Sequence, residues 1–356
     1  MYQTSGKSRV TLRDIASEMG ISVSAVNKAL NGRSGVGEAL RRKVIDTAER
    51  MGYRVNRMAQ SMSRNPIHLG IIMPNLWPLF YGAMKSGMDY KLEALADYRI
   101  AAEYYFVTTL HSKDQIIDGI RHFIETGVDA LIICPNFVSE YDDWLDVLAE
   151  KNIPVVLVGC ELPHSRRLCC VRHDANLAGR LAAEFMQYIL PSGKRCAIFI
   201  GNKSMDDHQN KVRGFIDSGL VPVNPTADVF ETLDDPEVAY VITQRILRTQ
   251  RDIGAIYVAT SNTVAVCQAI CDEHRQQDTV VIGTDVDLQL QPYFVSGPLR
   301  GVIFQDPFRQ GKVAVEILFD YLTLGKISES ERLIYPHFVL GANFPYYARG
   351  VPQTEL

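Results

Sequence analysis

From about Thr11 to Tyr53, apolar and polar positions recur at helical spacing in three short runs, TLRDIASEM, SVSAVNKAL and EALRRKVIDTAERMG. Gly20 and the glycine-rich NGRSGVG break them, which predicts three compact helices. A fourth run, NRMAQSMS, stops at Asn65-Pro66, because the residue before proline is biased away from the helical region, and it reads as a linker. Beyond Pro66 the pattern changes to apolar runs, HLGIIM, RIAAEYYF, ALIIC, PVVLVG, RCAIFIG, GAIYVA, TVVIG and RGVIFQ, separated by amphipathic stretches. Such alternation predicts βα units and parallel sheets covered by helices. About nine strands are many for one sheet, so two lobes facing a cleft are expected. The fold class is a small all-α head on an α/β two-lobed body with parallel sheets. Expected boundaries are 1–55 for the head, 56–65 for the linker and 66–356 for the body. Within the body the first lobe is expected over about 66–162 and 298–325, and the second over about 165–295 and 330–345.

Charge sharpens this division. Residues 1–64 carry 12 Lys/Arg against 5 Asp/Glu, a net +7, while the remainder carries 25 against 36, a net −11. A basic head on an acidic body points to nucleic acid at one end. No run of about 18 apolar residues is present, and the polar start MYQTSGKSRVTLRD lacks the apolar centre of a secretory signal, so a cytoplasmic bacterial protein without membrane contact is expected. The seven cysteines, Cys134, Cys160, Cys169, Cys170, Cys196, Cys267 and Cys271, include no Cys-x-x-Cys pair, and are expected to be reduced and mostly buried. No metal or cofactor is expected.

In the first two helices Ala16, Gly20 and Val26 have separate steric tasks. A small Ala16 lets the second helix approach, Gly20 supplies a positive φ at the turn, and Val26 anchors the second helix in the core. The opposite face then carries Ser22, Val23, Ser24, Asn27 and Lys28, short or polar groups suited to a major-groove floor. A generic three-helix bundle with a solvated face would show the same spacing.

The segments VTLRDIASEMGISVSAVNKALNG, RRKV and GYRVNRMAQSM, with the body behind them, resemble the lactose/galactose repressor (LacI/GalR) family over nearly the whole chain. The resemblance implies a helix-turn-helix transcription regulator with a periplasmic-binding-protein-like (type I) body. It further implies that Val23, Ser24 and Lys28 select the operator, and that Thr11, Ser22 and Asn31 touch phosphates or support the fold. Asn56–Ser63, with Asn56 and Arg57 at its start, is similar to the family's hinge helix, and Met62 stands at the position that wedges into the minor groove. Members usually carry leucine there, and many have proline where Val55 stands. The partners implied are a palindromic double-stranded operator, a second copy of the chain and a sugar-like effector. Repression of carbohydrate uptake or catabolism genes is the expected outcome. An activator, or a corepressor-dependent regulator with a non-sugar effector, remains open.

Ligands of open α/β sheets sit beyond the carboxyl ends of strands, which directs attention to PNLWPLFY and GTDVD. Trp77, Phe80 and Tyr81 offer a flat apolar wall for a sugar ring, although such a cluster also suits a core. By the resemblance, Asp285 grips ligand hydroxyls, a task suited to a carboxylate that accepts two hydrogen bonds. Lys211 or Arg213 would stand for the family's arginine, and Thr260 and Asn262 fall where members often have Asn-Asp. Lysine is a point charge where arginine is bidentate, so a relative's effector does not carry over. Asp174 reads as a helix cap.

Enzyme chemistry is not expected. The chain has no Gly-x-Ser-x-Gly elbow, His-Glu-x-x-His or Gly-x-Gly-x-x-Gly, and NGRSGVG joins two small helices instead of leading a strand into a phosphate-binding helix. A ligand-binding protein without regulation is the remaining competitor, and the basic head argues against it.

Overall fold

The structure is a computed structural model and describes residues 10–30, 35–51, 66–109, 113–135, 141–162 and 165–348. The chain divides into two compact units, 1–65 and 66–356.

In the head, α1 (Leu12–Met19), α2 (Val23–Leu30) and α3 (Glu38–Arg50) pack around Ile15, Ala16, Val26, Ala29, Val44 and Ala48, all buried. Thr11 closes the start of α1 with a capping box: its hydroxyl accepts from the Asp14 N–H, and its own N–H donates to Asp14 Oδ2 at 2.7 Å. Gly20 ends α1 in the left-handed region at φ 64°, so the chain reverses within two residues. Ser22 caps α2 by accepting from the Ala25 N–H at 3.1 Å.

The body holds two six-stranded sheets. The first has the order β11-β5-β4-β3-β1-β2, built from β1 (Ile67–Pro74), β2 (Ile100–Val107), β3 (Ala130–Ile133), β4 (Val155–Val158), β5 (Cys169–His173) and β11 (Glu331–Ile334). The second has the order β12-β10-β9-β8-β6-β7, built from β6 (Arg195–Ile200), β7 (Val229–Glu231), β8 (Ile253–Val258), β9 (Val280–Thr284), β10 (Leu299–Phe304) and β12 (His337–Val339). Every pairing is parallel except β10 with β12. The central strands are buried on both faces, which is why they read as continuous apolar runs.

The lobe boundaries need correction at three places. β5 lies in the first sheet, not the second lobe; β10 lies in the second sheet, not the first; and β11 returns to the first. The physical reason is pairing: CCVRH docks on β4 and ERLI docks on β5, so sheet membership follows long-range hydrogen bonding instead of position along the chain. The chain therefore passes between lobes after His173, after Phe304 and again between Ile334 and His337.

Close helix crossings hold the elements that carry the site. A Cβ on Gly179, in the helix Ala175–Ile189, would stand 2.0 Å from the carbonyl oxygen of Lys211, and one on Gly214 would stand 2.1 Å from that of Asn176. Only glycine lets the helix Asp206–Asp217 lie this near its neighbour. Asp174 caps the helix Ala175–Ile189, accepting from the Leu177 N–H at 2.8 Å. All seven cysteines are free thiols, five of them buried. Among the described residues no helix is long and apolar enough to cross a membrane.

Candidate functional site

A slot opens between the two lobes, with about 600 Å³ of empty space when its mouth is included. Its walls come from the carboxyl ends of the strands in both sheets, as the geometry of open α/β sheets requires. The first lobe contributes Trp77, Phe80 and Tyr81 after β1, Pro135 after β3, Cys160 after β4 and His173 at the end of β5. The second contributes Asp207, His208 and Lys211 from the helix after β6, Asp234 after β7, Thr260 after β8, Asp285 after β9 and Gln305 after β10. His173 and Gln305 thus stand where the chain changes lobe.

The aromatic wall is ordered. Trp77 and Tyr81 stack at 5.9 Å with 17° between their planes, and Phe80 meets Tyr81 edge-on at 5.2 Å. Trp77 holds a left-handed backbone, φ 43°, unusual for a bulky side chain. Asp234 at φ 55° and Asp285 at φ 65° share that conformation. Three left-handed residues around one slot are the kind of local strain that binding sites retain.

Opposite the wall lies a connected polar network. Lys211 Nζ approaches Asp207 Oδ2 at 2.8 Å and donates to Gln305 Oε1 at 3.0 Å and to the Ala259 carbonyl at 3.3 Å. Gln305 Nε2 in turn donates to Asp285 Oδ1 at 2.8 Å. His173 Nε2 lies 3.2 Å from Asp207 Oδ1, but the alignment makes no hydrogen bond, and neither ring nitrogen of this buried histidine has a hydrogen-bond partner among the described residues. Thr260 Oγ1 is likewise buried and unpartnered. Polar atoms left in this state are open to a ligand's hydroxyls.

Burial dominates the proton affinities. It pushes the Asp285 carboxyl up to about 6, against the hydrogen bond from Gln305 and the nearby Lys211 charge. It pushes His173 down to about 3, so the imidazole is neutral near pH 7. Burial would also raise Asp207, but His173 and the Lys211 ammonium outweigh it and hold that carboxyl well below the usual range.

Of the residues singled out in the sequence, Trp77, Phe80, Tyr81, Lys211, Thr260 and Asp285 come together in the slot. Two do not. Arg213 points outward on the far side of its helix and donates to Asn210 Oδ1, so of the two only Lys211 lines the slot. Asn262 is buried but turns away, its Nδ2 donating to Thr232 Oγ1 at 3.0 Å. His173, Asp207, His208, Asp234 and Gln305 escaped the sequence reading. A signal existed: 207, 208, 211, 214 and 215 share one helix face with the spacing of core positions, yet three of the five are ionisable.

In the head, Ser22, Val23, Ser24 and Lys28 are exposed on one side of α2 and Asn27 is half-buried beside them, opposite Val26 and Ala29 in the core. Thr11 and Ser22 serve as caps. Asn31, Asn56, Arg57 and Met62 lie outside the described residues.

Comparison with known proteins supplies the family. The model of the periplasmic binding protein domain matches residues 70–327, and that of bacterial regulatory proteins of the lacI family matches residues 11–56. The chain belongs to the periplasmic binding protein domain family over most of its length and carries a lacI-family DNA-binding domain ahead of it. Catabolite control protein A of Priestia megaterium is 25% identical over 340 residues, 90% of this chain and 95% of the relative. The HTH-type transcriptional regulator pepR1 of Lactobacillus delbrueckii subsp. lactis is 27% identical over 341 residues, 94% and 96% of the two chains. The HTH-type transcriptional repressor PurR of Vibrio cholerae is 25% identical over 339 residues, 91% and 94%. Among solved structures, the glucose-galactose binding protein GanP of Geobacillus stearothermophilus superposes with a TM-score of 0.69 at 22% identity, over 79% of this chain and all of that one. That likeness is one of fold. With these two domains the chain is a DNA-binding transcription regulator with a ligand-binding domain.

Proposed function

We propose that this chain is a repressor whose operator affinity is set by a sugar-like effector in the interlobe slot. The carrying observation is the slot itself: a stacked aromatic wall faces buried polar groups, two of which, His173 and Thr260, have side-chain atoms without a hydrogen-bond partner among the described residues. A ring with hydroxyls on its rim satisfies both sides, the apolar faces against Trp77 and Tyr81 and the hydroxyls against Asp285, His173 and Thr260. The names of the relatives, catabolite control protein and transcriptional repressor, agree with repression of carbohydrate uptake or catabolism genes.

In this reading two copies pair in the cytoplasm and present two α2 helices to a palindromic operator, where Val23, Ser24 and Lys28 read bases. An effector that binds the closed slot more tightly than the open one shifts the lobe equilibrium, and the segment 56–63 carries the shift to the heads. Selection from a random duplex pool with the purified protein tests the DNA half. An inverted repeat is the expected product, and a pool without any enriched motif contradicts it. Thermal unfolding against sugars, polyols and sugar derivatives tests the other half. A ligand at a hundredfold excess over its dissociation constant stabilises by roughly 2.7 kcal/mol, and that stabilisation disappears in Asp285→Asn.

A further inference from the structure

Taking the slot as the effector site, its charge inventory specifies the ligand further. Three carboxylates line it, Asp207, Asp234 and Asp285, against one ammonium, Lys211, and two histidines, His173 and His208, whose proton affinity burial lowers. An ammonium has three N–H donors, and those of Lys211 are directed at Asp207, Gln305 and the Ala259 carbonyl. None is left for a ligand. Arg172, beside His173 in β5, is engaged by Glu331 at 2.6 Å and is absent from the lining.

The acceptors are in the opposite condition. Asp285 accepts from Gln305 through Oδ1, and its Oδ2 takes no hydrogen bond among the described residues. Asp207 Oδ1 has no hydrogen-bond partner among the described residues. Asp234 is 9% exposed, and no hydrogen bond or ion pair reaches its carboxylate among the described residues. Gly201 makes its room, since a Cβ there would fall 2.0 Å from Asp234 Oδ2. A buried carboxylate without a cation keeps its desolvation penalty, and a ligand that supplies positive charge recovers it. A ligand carboxylate or phosphate would add like charge where no cationic donor is free. The faces of Trp77 and Tyr81 also favour a cation beside the ring.

We infer that the slot is built for a hydroxylated ring bearing a protonated amine, as in an amino sugar, and that it rejects sugar acids and sugar phosphates. Burial of Asp285, which raises its proton affinity, agrees with a carboxylate awaiting a positive partner.

The test is calorimetric titration of the full chain at pH 7.5 with matched series: glucosamine, glucose, glucuronate and glucose 6-phosphate, then the galactose and mannose counterparts. In at least one series the amine binds tenfold or more tightly than its neutral parent, and the acid and phosphate give no heat. Asp234→Asn and Asp285→Asn remove the charge but keep a residue that accepts the left-handed backbone, so each should erase the preference while still unfolding in one cooperative transition no lower in temperature than that of the unaltered protein. Tightest binding by an acid or phosphate overturns the inference. So does a neutral sugar that equals its amine and loses binding in Asp285→Asn, although the slot then stands as the effector site. Silence from every series overturns both the charge rule and the carbohydrate reading.

Discussion

Lys211 Nζ and Asp207 Oδ2 lie 2.8 Å apart, one turn from each other on the same helix, with both side chains almost wholly buried. The pair fixes the polar floor of the slot, because the same ammonium also orients Gln305 toward Asp285. Removing one partner of a buried pair leaves the other uncompensated, at a cost of about 3–5 kcal/mol. Lys211→Met should therefore lower the urea midpoint of the body strongly. The double variant Asp207→Asn, Lys211→Met should recover most of the loss. If the double variant is as unstable as the single, packing of the lysine stem and not charge is responsible.

Asp285 supplies a pH signature. Its native proton affinity, about 6, exceeds the ordinary 3.8, so between these values the folded protein holds more protons than the unfolded chain. Stability from this group is then lost as pH rises from about 4 through about 6, and the full penalty applies above. Allowing for partial exposure to water, the penalty is roughly 1–3 kcal/mol at neutral pH. The melting temperature of Asp285→Asn without ligand should exceed that of the unaltered protein by several degrees at pH 7.5, with the gap closing toward pH 4. Comparing the two proteins at each pH cancels other groups, including His173. A gap that does not change with pH contradicts the assignment.

The approach of Gly179 to the Lys211 carbonyl links packing to function. Gly179→Ala must displace the helix that carries Asp207, His208 and Lys211, since the added Cβ meets backbone and not a flexible tip. The expected cost is about 1–3 kcal/mol in stability. Loss of about tenfold or more in effector affinity should accompany it, because a displaced polar floor no longer matches the ligand. Calorimetry on the folded variant separates the two. Unchanged affinity would mean that the helix is not positioned by this crossing.

Local features were legible in the sequence and pairing was not. The three head helices announce themselves through Gly20 and the spacing of Ile15, Ala16, Val26 and Ala29, because a glycine turn and helical periodicity act over a few residues. The eight apolar runs read as strands are all strands, but β5, β7, β11 and β12 were not read: VFE and HFV are short, and ERLI is too polar to register as apolar. The lobe exchange at β5, β10 and β11 has no compositional mark, since only contact with β4, β9 or β5 decides it. In the slot, Asp285 and the aromatic residues were visible through loop position. His173 was hidden beside Asp174, whose capping role explains that dipeptide without involving the histidine.

Of the α2 residues proposed to read bases, Lys28 carries a charge and Ser24 does not. Lys28→Ala removes a cation as well as a proposed base contact and should reduce the slope of log affinity against log salt by about 1. Ser24→Ala should leave the slope unchanged and relax selection at one base pair of each half-site, a change of about 1–3 kcal/mol in discrimination. Salt titrations and sequence selection on both variants check this, and identical effects from the two substitutions contradict it.

The central claim is coupling between slot and operator, and the direct measurement is operator affinity by fluorescence anisotropy, with and without a saturating slot ligand. For a regulator of this construction the ligand should change the dissociation constant by about 5- to 150-fold, the usual range of allosteric coupling. In Asp285→Asn the operator should bind as before and the ligand should have no effect. A ligand that stabilises the body but leaves operator affinity unchanged would show a binding domain uncoupled from its head, and the account would fail.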